Sequence, residues 1–344
     1  MAKRLKPIGA QVIVITGATS GIGLTTARAA AARGARLVLA ARDAAALDLL
    51  VDELRGRGHD AIALPVDVGV RADVEALGRA AVQRYGRIDT WVNNAGVSIY
   101  GRHQDIPLED QEHLFQTNFW GVVHGSLVAL EQMRGSGGAI INLGSELSDR
   151  AVPLQGMYSA SKHAVKGFTD SLRMEVEKDK LPVSLTLIKP AGIDTMYTKR
   201  ARNYLDYEPE LPAPLYAPDL VADAILFAAE TGERDIYVGG ASRMISAEGG
   251  LMPRLLDKFM NAIMFKQQQH TAQLASPDRQ DSLYAPSGPQ LRERLGEHTS
   301  KVHERSAYTY LTTRGKPLGL ALLVGGAVLG MVMASGAADK GEAG

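Results

Sequence analysis

The 344-residue chain contains no cysteine, which excludes a disulfide framework, a thiolate metal site and a cysteine nucleophile together. It also lacks net charge. Its 38 Lys and Arg balance 38 Asp and Glu, so no global field draws it toward nucleic acid. The basic start, Met1 to Pro7, is not followed by a signal-peptide core, because Val12-Ile13-Val14-Ile15 is short and leads straight into glycine-rich sequence. No solenoid-type repeat is present. The eight histidines, among them His103, His113, His124 and His163, stand at no metal-ligand spacing, so no metal site is expected.

Up to about residue 245, strand-like runs alternate with helical patterns. The runs are 12–16, 36–40, 61–65, 90–93, 139–143, 183–188 and 235–238, several of them continuously aliphatic, as for parallel strands covered on both faces. Alanine-rich amphipathic segments at 23–33, 44–57 and 71–85 are long enough to be crossover helices. This alternation predicts an α/β fold, a doubly wound, Rossmann-type parallel sheet forming a single domain over 1–248.

The pattern changes after that. An amphipathic helix is expected over 249–266, followed by a polar stretch, 267–316, that reads as a weakly structured linker. The run 318–338 carries no charge, and about 20 such residues span a bilayer core. A transmembrane helix is therefore expected over 317–338, with a short tail at 339–344. Arg314 and Lys316 precede it, which places the large domain in the cytoplasm under the positive-inside tendency. Gly326, Gly330, Ala334 and Ala338 share one face of that helix and would suit helix pairing.

The chemistry begins at Thr16-Gly17-Ala18-Thr19-Ser20-Gly21-Ile22-Gly23, between the first strand and the first helix. Glycines there permit a tight turn and let a phosphate approach the backbone. Further on, Asn93-Asn94-Ala95-Gly96 follows the fourth strand, Asn118 sits in the next helix, and Ser145 follows the fifth strand. Tyr158-Ser159-Ala160-Ser161-Lys162 then opens a helix. Tyr158 and Lys162, four apart, project from one helix face. A nearby ammonium favours a phenolate and would lower the tyrosine pKa toward a useful range, while Ser145 could donate to a carbonyl oxygen.

In this order and spacing, over roughly residues 9–240, the chain resembles the short-chain dehydrogenase/reductase family. The resemblance implies that Tyr158 gives a proton to the substrate oxygen while nicotinamide gives hydride to carbon. Lys162 would also hold the nicotinamide ribose, and Asn118 would help hold a water linking Lys162 to solvent. Gly17, Thr19, Ser20, Gly21, Ile22 and Gly23 would bind the cofactor phosphates. Asp67 and Val68 would contact the adenine, with Asn94, Ala95 and Gly96 beside the cofactor. The family's Pro-Gly-x-Ile-x-Thr element reads Pro190-Ala191-Gly192-Ile193-Asp194-Thr195 here; Pro190, Ile193 and Thr195 still match, and Ala191 departs.

Cofactor choice rests on Leu39-Ala40-Ala41-Arg42-Asp43. The acidic position of NAD-preferring relatives is Ala41, and Arg42 could pair with a 2′-phosphate, so NADP(H) is expected over NAD(H). Asp43 reads as the cap of the following helix. Bulky residues between Thr195 and Pro218, such as Tyr197, Tyr204, Leu205 and Leu211, predict an apolar substrate flap. With the membrane helix, they point to a lipophilic carbonyl or alcohol. Asp149-Arg150 reads as a solvated ion pair, and the resemblance implies a homo-oligomer. A low-turnover NADP(H) sensor, and an epimerase or dehydratase on the same fold, stand as alternatives.

Overall fold

All five residues of Val12–Thr16 are buried in the computed structural model, as a strand covered on both faces requires. The structure describes residues 5–240, 242, 253–297 and 301–314. Seven parallel strands form the central sheet: β1 (Val12–Thr16), β2 (Arg36–Ala41), β3 (Ala61–Pro65), β4 (Thr90–Asn93), β5 (Gly138–Leu143), β6 (Val183–Pro190) and β7 (Asp235–Val238). Their spatial order is β3-β2-β1-β4-β5-β6-β7. The chain leaves β1 in one direction for β2 and β3, then crosses back to β4. A crevice opens at the carboxyl ends of β1 and β4, where that order reverses.

Helices cover both faces. On one side, α1 (Gly21–Ala32) and α2 (Ala44–Gly56) bury Leu24, Leu47, Leu50 and Leu54 against Ile13, Ile15, Leu37 and Leu39. On the other, α3 (Arg71–Tyr85) packs Val74 and Leu77 against Val12, Val14 and Val38. Asp43 caps α2 as expected, its carboxylate accepting from the Ala46 amide at 3.0 Å. The next helix is interrupted. α4 (Leu108–Phe115) passes through a π turn, Gln116–Trp120, before continuing as α5 (Gly121–Met133). Such turns are frequent at functional sites, and Asn118 sits inside this one. α6 (Gly156–Lys178) then carries Tyr158 and Lys162 in its first two turns, and α7 (Pro218–Thr231) closes the first face.

The amphipathic helix expected at 249–266 corresponds to α8 (Pro253–Gln267). The segment expected as a weakly structured linker, 267–316, is instead folded onto the domain over its described residues. Gln269–Leu274 pairs antiparallel with Tyr207–Pro209, and Val302–His303 pairs parallel with Leu215–Tyr216. The chain ends its described part in α9 (Ala307–Arg314). Composition misled here because the attachment is polar. A buried ion pair joins Arg279 to Glu208, Arg28 meets Glu293 at 2.8 Å, and Asp194 accepts from the Leu295 and Gly296 amides, each at 3.1 Å. Only Leu283 and Leu295 supply buried leucine anchors in the stretch between the strands.

The membrane span expected at 317–338, with its small-residue face and the tail, lies outside the described residues. Among the described residues no helix is long and apolar enough to cross a membrane.

Candidate active site

The glycine-rich turn leaves β1 with Gly17 at φ +66°, a conformation that disfavours a side chain. A Cβ there would fall 2.8 Å from Cα of Ala95, and one at Gly23 would fall 2.1 Å from the Gly17 carbonyl oxygen. The turn therefore packs directly on the strand-end segment Asn94-Ala95-Gly96. Asn94 fixes that contact, its amide donating to the carbonyls of Thr16 (3.0 Å) and Gly17 (3.1 Å). One pocket opens over this turn. Gly17, Thr19, Ser20, Gly21 and Ile22 line it from one side, and Asp67, Val68 and Asn94 to Gly96 from the other.

Arg42 lines the same pocket, but its guanidinium does not stand free. It donates to the Leu283 carbonyl at 2.9 Å and to the Ser282 carbonyl. Asp67 accepts from the Gly69 amide at 2.9 Å, which bends the chain after β3 toward the pocket.

A second pocket continues from the first, sharing Ile22, Asn94, Gly96, Thr195 and Tyr197 with it. Ser145, Tyr158, Lys162, Pro190 and Ile193 line this half. The structure thus brings Ser145, from the loop after β5, to Tyr158 and Lys162 on α6. Ala191, the departure from the family pattern, donates its amide to Val238 at 2.9 Å and keeps the loop on the sheet edge. Gly192–Ile193 then pairs with Leu215–Tyr216. Asn118 stands behind the site, fully buried. Its side chain accepts from the Val97 amide (2.8 Å) and donates to the Val97 carbonyl (2.9 Å) and Ser161 Oγ (3.3 Å). It clamps the loop after β4 to α6.

Electrostatically, the site departs from the expected pairing of tyrosine and lysine. Burial pushes the Tyr158 phenol up to about 12; the Tyr197 and Ser145 hydroxyls pull it down, and Glu146 raises it further. Burial pushes Lys162 down to about 8, and its Nζ donates to the Leu143 carbonyl at 2.7 Å, 5.6 Å from the Tyr158 ring centre. The expected lowering of the tyrosine by the ammonium is thus absent in the protein alone, because desolvation acts on both groups and dominates.

Sequence reasoning placed Tyr197 in the substrate flap but missed its polar partners Gln155 and Gln268, and missed Glu146. Tyr197 packs edge-on to Tyr158 at 5.5 Å, and its hydroxyl donates to Gln155 Oε1 at 2.8 Å. Gln155 in turn donates to Gln268 Oε1 at 2.6 Å, so a buried polar chain runs from the site to the end of α8. Glu146, next to Ser145, faces the second pocket and is pushed up to about 7 by burial. Tyr197 was legible as a bulky residue of the segment after Thr195; its hydrogen bond to Gln155 was not, and Gln268 had no signal. Tyr204, expected in the flap, turns away from the site to donate to Asp110 at 2.5 Å. Asp149 and Arg150 do not pair with each other: Lys189 contacts Asp149 at 3.0 Å, and Arg150 meets Asp257. No cluster of His, Asp and Glu able to hold a metal exists among the described residues.

Comparison with known proteins agrees with this architecture. The family described as short chain dehydrogenase matches residues 11–205. A Bacillus subtilis protein described as "Uncharacterized oxidoreductase YxnA" is 45% identical over 328 residues, 94% of this chain and 91% of its own. The 11-beta-hydroxysteroid dehydrogenase A of Arachis hypogaea is 32% identical over 262 residues, 73% of this chain and 74% of its own. Among solved structures, a short chain dehydrogenase/reductase from Burkholderia phymatum in complex with NAD is 29% identical, with TM-score 0.66 over 73% of this chain and 97% of its own. An alcohol dehydrogenase from Thermococcus sibiricus complexed with 5-hydroxy-NADP is 25% identical, with TM-score 0.58 over 66% of this chain and 95% of its own. With the Rossmann-type sheet and a match through most of its length, the chain belongs to the short-chain dehydrogenase family of oxidoreductases.

Proposed function

We propose that this protein is an NADP(H)-dependent oxidoreductase that interconverts a lipophilic carbonyl and its alcohol while held at a membrane by 317–338. The observation that carries the reaction is the convergence of Ser145, Tyr158 and Lys162 in one half of a cleft whose other half is the glycine-rich turn.

The first half suits a dinucleotide. Its floor is glycine where a side chain would collide, and two guanidinium groups, Arg42 and Arg200, line it. Gly17 to Gly23 would hold the phosphates, Asp67 and Val68 the adenine, and Asn94 to Gly96, Pro190, Ile193 and Thr195 the nicotinamide end. When bound, the nicotinamide supplies or takes a hydride. In reduction Tyr158 donates its hydroxyl proton to the substrate oxygen, and Ser145 donates a hydrogen bond to the same oxygen. Lys162 holds the ribose hydroxyls and re-supplies the proton. Asn118, with its side chain committed to Val97 and Ser161, would serve a proton path only through its main chain.

Preference for NADP(H) is supported by Ala41 in place of an acidic residue and by the commitment of Asp43 to capping α2. A lipophilic substrate is supported by the lining of the second half, where Leu147, Val152, Leu211, Pro214, Met260 and Met264 surround the polar groups. The similarity to a protein named 11-beta-hydroxysteroid dehydrogenase points the same way. Trp120, Leu127 and Met174 are exposed on the π turn, α5 and α6, the elements through which a second copy of the chain would pair.

The test is NADPH oxidation by detergent-purified protein across carbonyls of increasing chain length, comparing wild type with Tyr158→Phe. Turnover that rises with chain length and vanishes in the variant supports the reading. Equal turnover by wild type and variant removes the mechanism, and a preference for small hydrophilic carbonyls removes the substrate class.

A further inference from the structure

Arg200 has a position that the resemblance does not account for. It ends the one-turn helix Tyr197–Arg200 that follows Thr195, and its guanidinium crosses the cleft to Ser20 Oγ in the glycine-rich turn, at 2.5 Å. It lines the same pocket as Arg42. Among the described residues no carboxylate forms an ion pair with it, and burial draws its pKa down, with only the field of Asp43 opposing. A half-buried guanidinium that lines a cleft without a paired carboxylate is a ready partner for an anionic ligand.

The chain after α8 builds the wall behind it. Arg200 is tied to this strap twice: its carbonyl accepts from the Ser282 amide at 2.8 Å, and its Nη2 faces the Gln290 carbonyl at 3.4 Å. The strap is fastened on either side of that point. Arg202 pairs with Asp281 at 2.9 Å, and the Gly21 amide donates to the Arg292 carbonyl at 3.0 Å. Between these fastenings Ser282, Ser287 and Gly288 face the pocket across from Asp67 and Val68.

We propose that Arg200 and the strap residues Ser282 and Ser287 form the outer wall of the dinucleotide site, with Arg200 as a cation for one of the dinucleotide's phosphate groups. This rests on the reading of the first pocket as a nicotinamide dinucleotide site. The relevant chemistry is a phosphate monoester or diester oxygen, which a guanidinium binds through charge-assisted hydrogen bonds. Both the 2′-phosphate and the pyrophosphate present it. The match to the Bacillus subtilis relative, over 94% of this chain, extends into this region.

The experiment is direct binding of NADPH and of NADH to the full chain by titration calorimetry, for wild type, Arg200→Ala and Ser287→Glu. Arg200→Ala should weaken NADPH by about tenfold or more, the loss expected for a charged hydrogen bond. If NADH is spared, the 2′-phosphate is the partner; if both weaken alike, the pyrophosphate is. Ser287→Glu, which leaves Arg200 in place, should weaken NADPH in the same direction by placing a carboxylate in the wall. Unchanged affinities for both dinucleotides in either variant overturn the proposal. A wild type that binds NADH but not NADPH removes the NADP(H) preference alone, and the Arg200 assignment is then decided by the NADH titration.

Discussion

Arg42, at the end of β2, donates its guanidinium to the backbone carbonyl of Leu283, 241 residues further along the chain, at 2.9 Å. One side chain thus joins the first pocket to the strap. A second nitrogen donates to the neighbouring Ser282 carbonyl. The residue expected to choose between dinucleotides is also a fastening for the wall of its own pocket.

Arg42→Ala should therefore have two effects. NADPH affinity falls relative to NADH by about tenfold, the size of one charge-assisted hydrogen bond. Limited proteolysis should also cut faster near Leu283. Parallel titrations with both dinucleotides and a timed digest check this; an unchanged NADPH/NADH ratio removes Arg42 from cofactor choice.

Tyr158→Phe removes the hydroxyl proposed to exchange a proton with substrate. Turnover should drop by about 10²–10⁴-fold, the range of general acid–base catalysis. Dinucleotide binding should persist, because the glycine-rich turn is untouched. Stopped-flow NADPH oxidation beside a binding titration separates the two.

Glu146 gives a pH dependence of stability with a defined sign. Burial raises its pKa from 4.5 to about 7, so between those values the folded protein holds a proton that the unfolded chain has lost. Stability from this group is fully present below pH 4.5 and is lost as pH rises through 7. Glu146→Gln should be stabilised relative to wild type by about 1–3 kcal/mol at pH 8 and by much less at pH 4.5. Urea unfolding at both pH values measures it, and a constant difference would contradict the assignment.

Arg279 and Glu208 form a buried ion pair that joins the strap to the flap strand Tyr207–Pro209. Arg279→Ala leaves the carboxylate buried without its cation and should destabilise by about 3 kcal/mol. The double variant Arg279→Met, Glu208→Leu should recover most of that loss. Chemical denaturation of the three proteins provides the check.

Removal of 317–344 tests the membrane reading. The truncated protein should appear in the soluble fraction after alkaline extraction, while the full chain stays with the membranes. Full-length protein that is washed off by alkali would end the proposal of a span.

Several features were legible from residue order alone because their causes are local. The aliphatic runs set the strands, since a strand with both faces covered must be apolar at every position. Gly17 and Gly23 were legible because only glycine satisfies a positive φ or a 2.1 Å approach. Tyr158 and Lys162 share a helix face by spacing, and their partner Ser145 was found through the family's order. The strap was not legible. Its attachments are ion pairs, short strand pairings and arginine-to-carbonyl bonds, which leave no hydrophobic period in the sequence.

The sequence by itself determined the alternation of strands and helices, the glycine-rich turn and the shared helix face of Tyr158 and Lys162, because each depends on near neighbours. Only the tertiary structure decided that Arg42 is bound to Leu283, that Arg200 reaches Ser20, and that Gln268 is linked through Gln155 to Tyr197. It also decided that Tyr158 and Lys162 are both pushed toward neutrality, since desolvation depends on what the whole chain packs around a group.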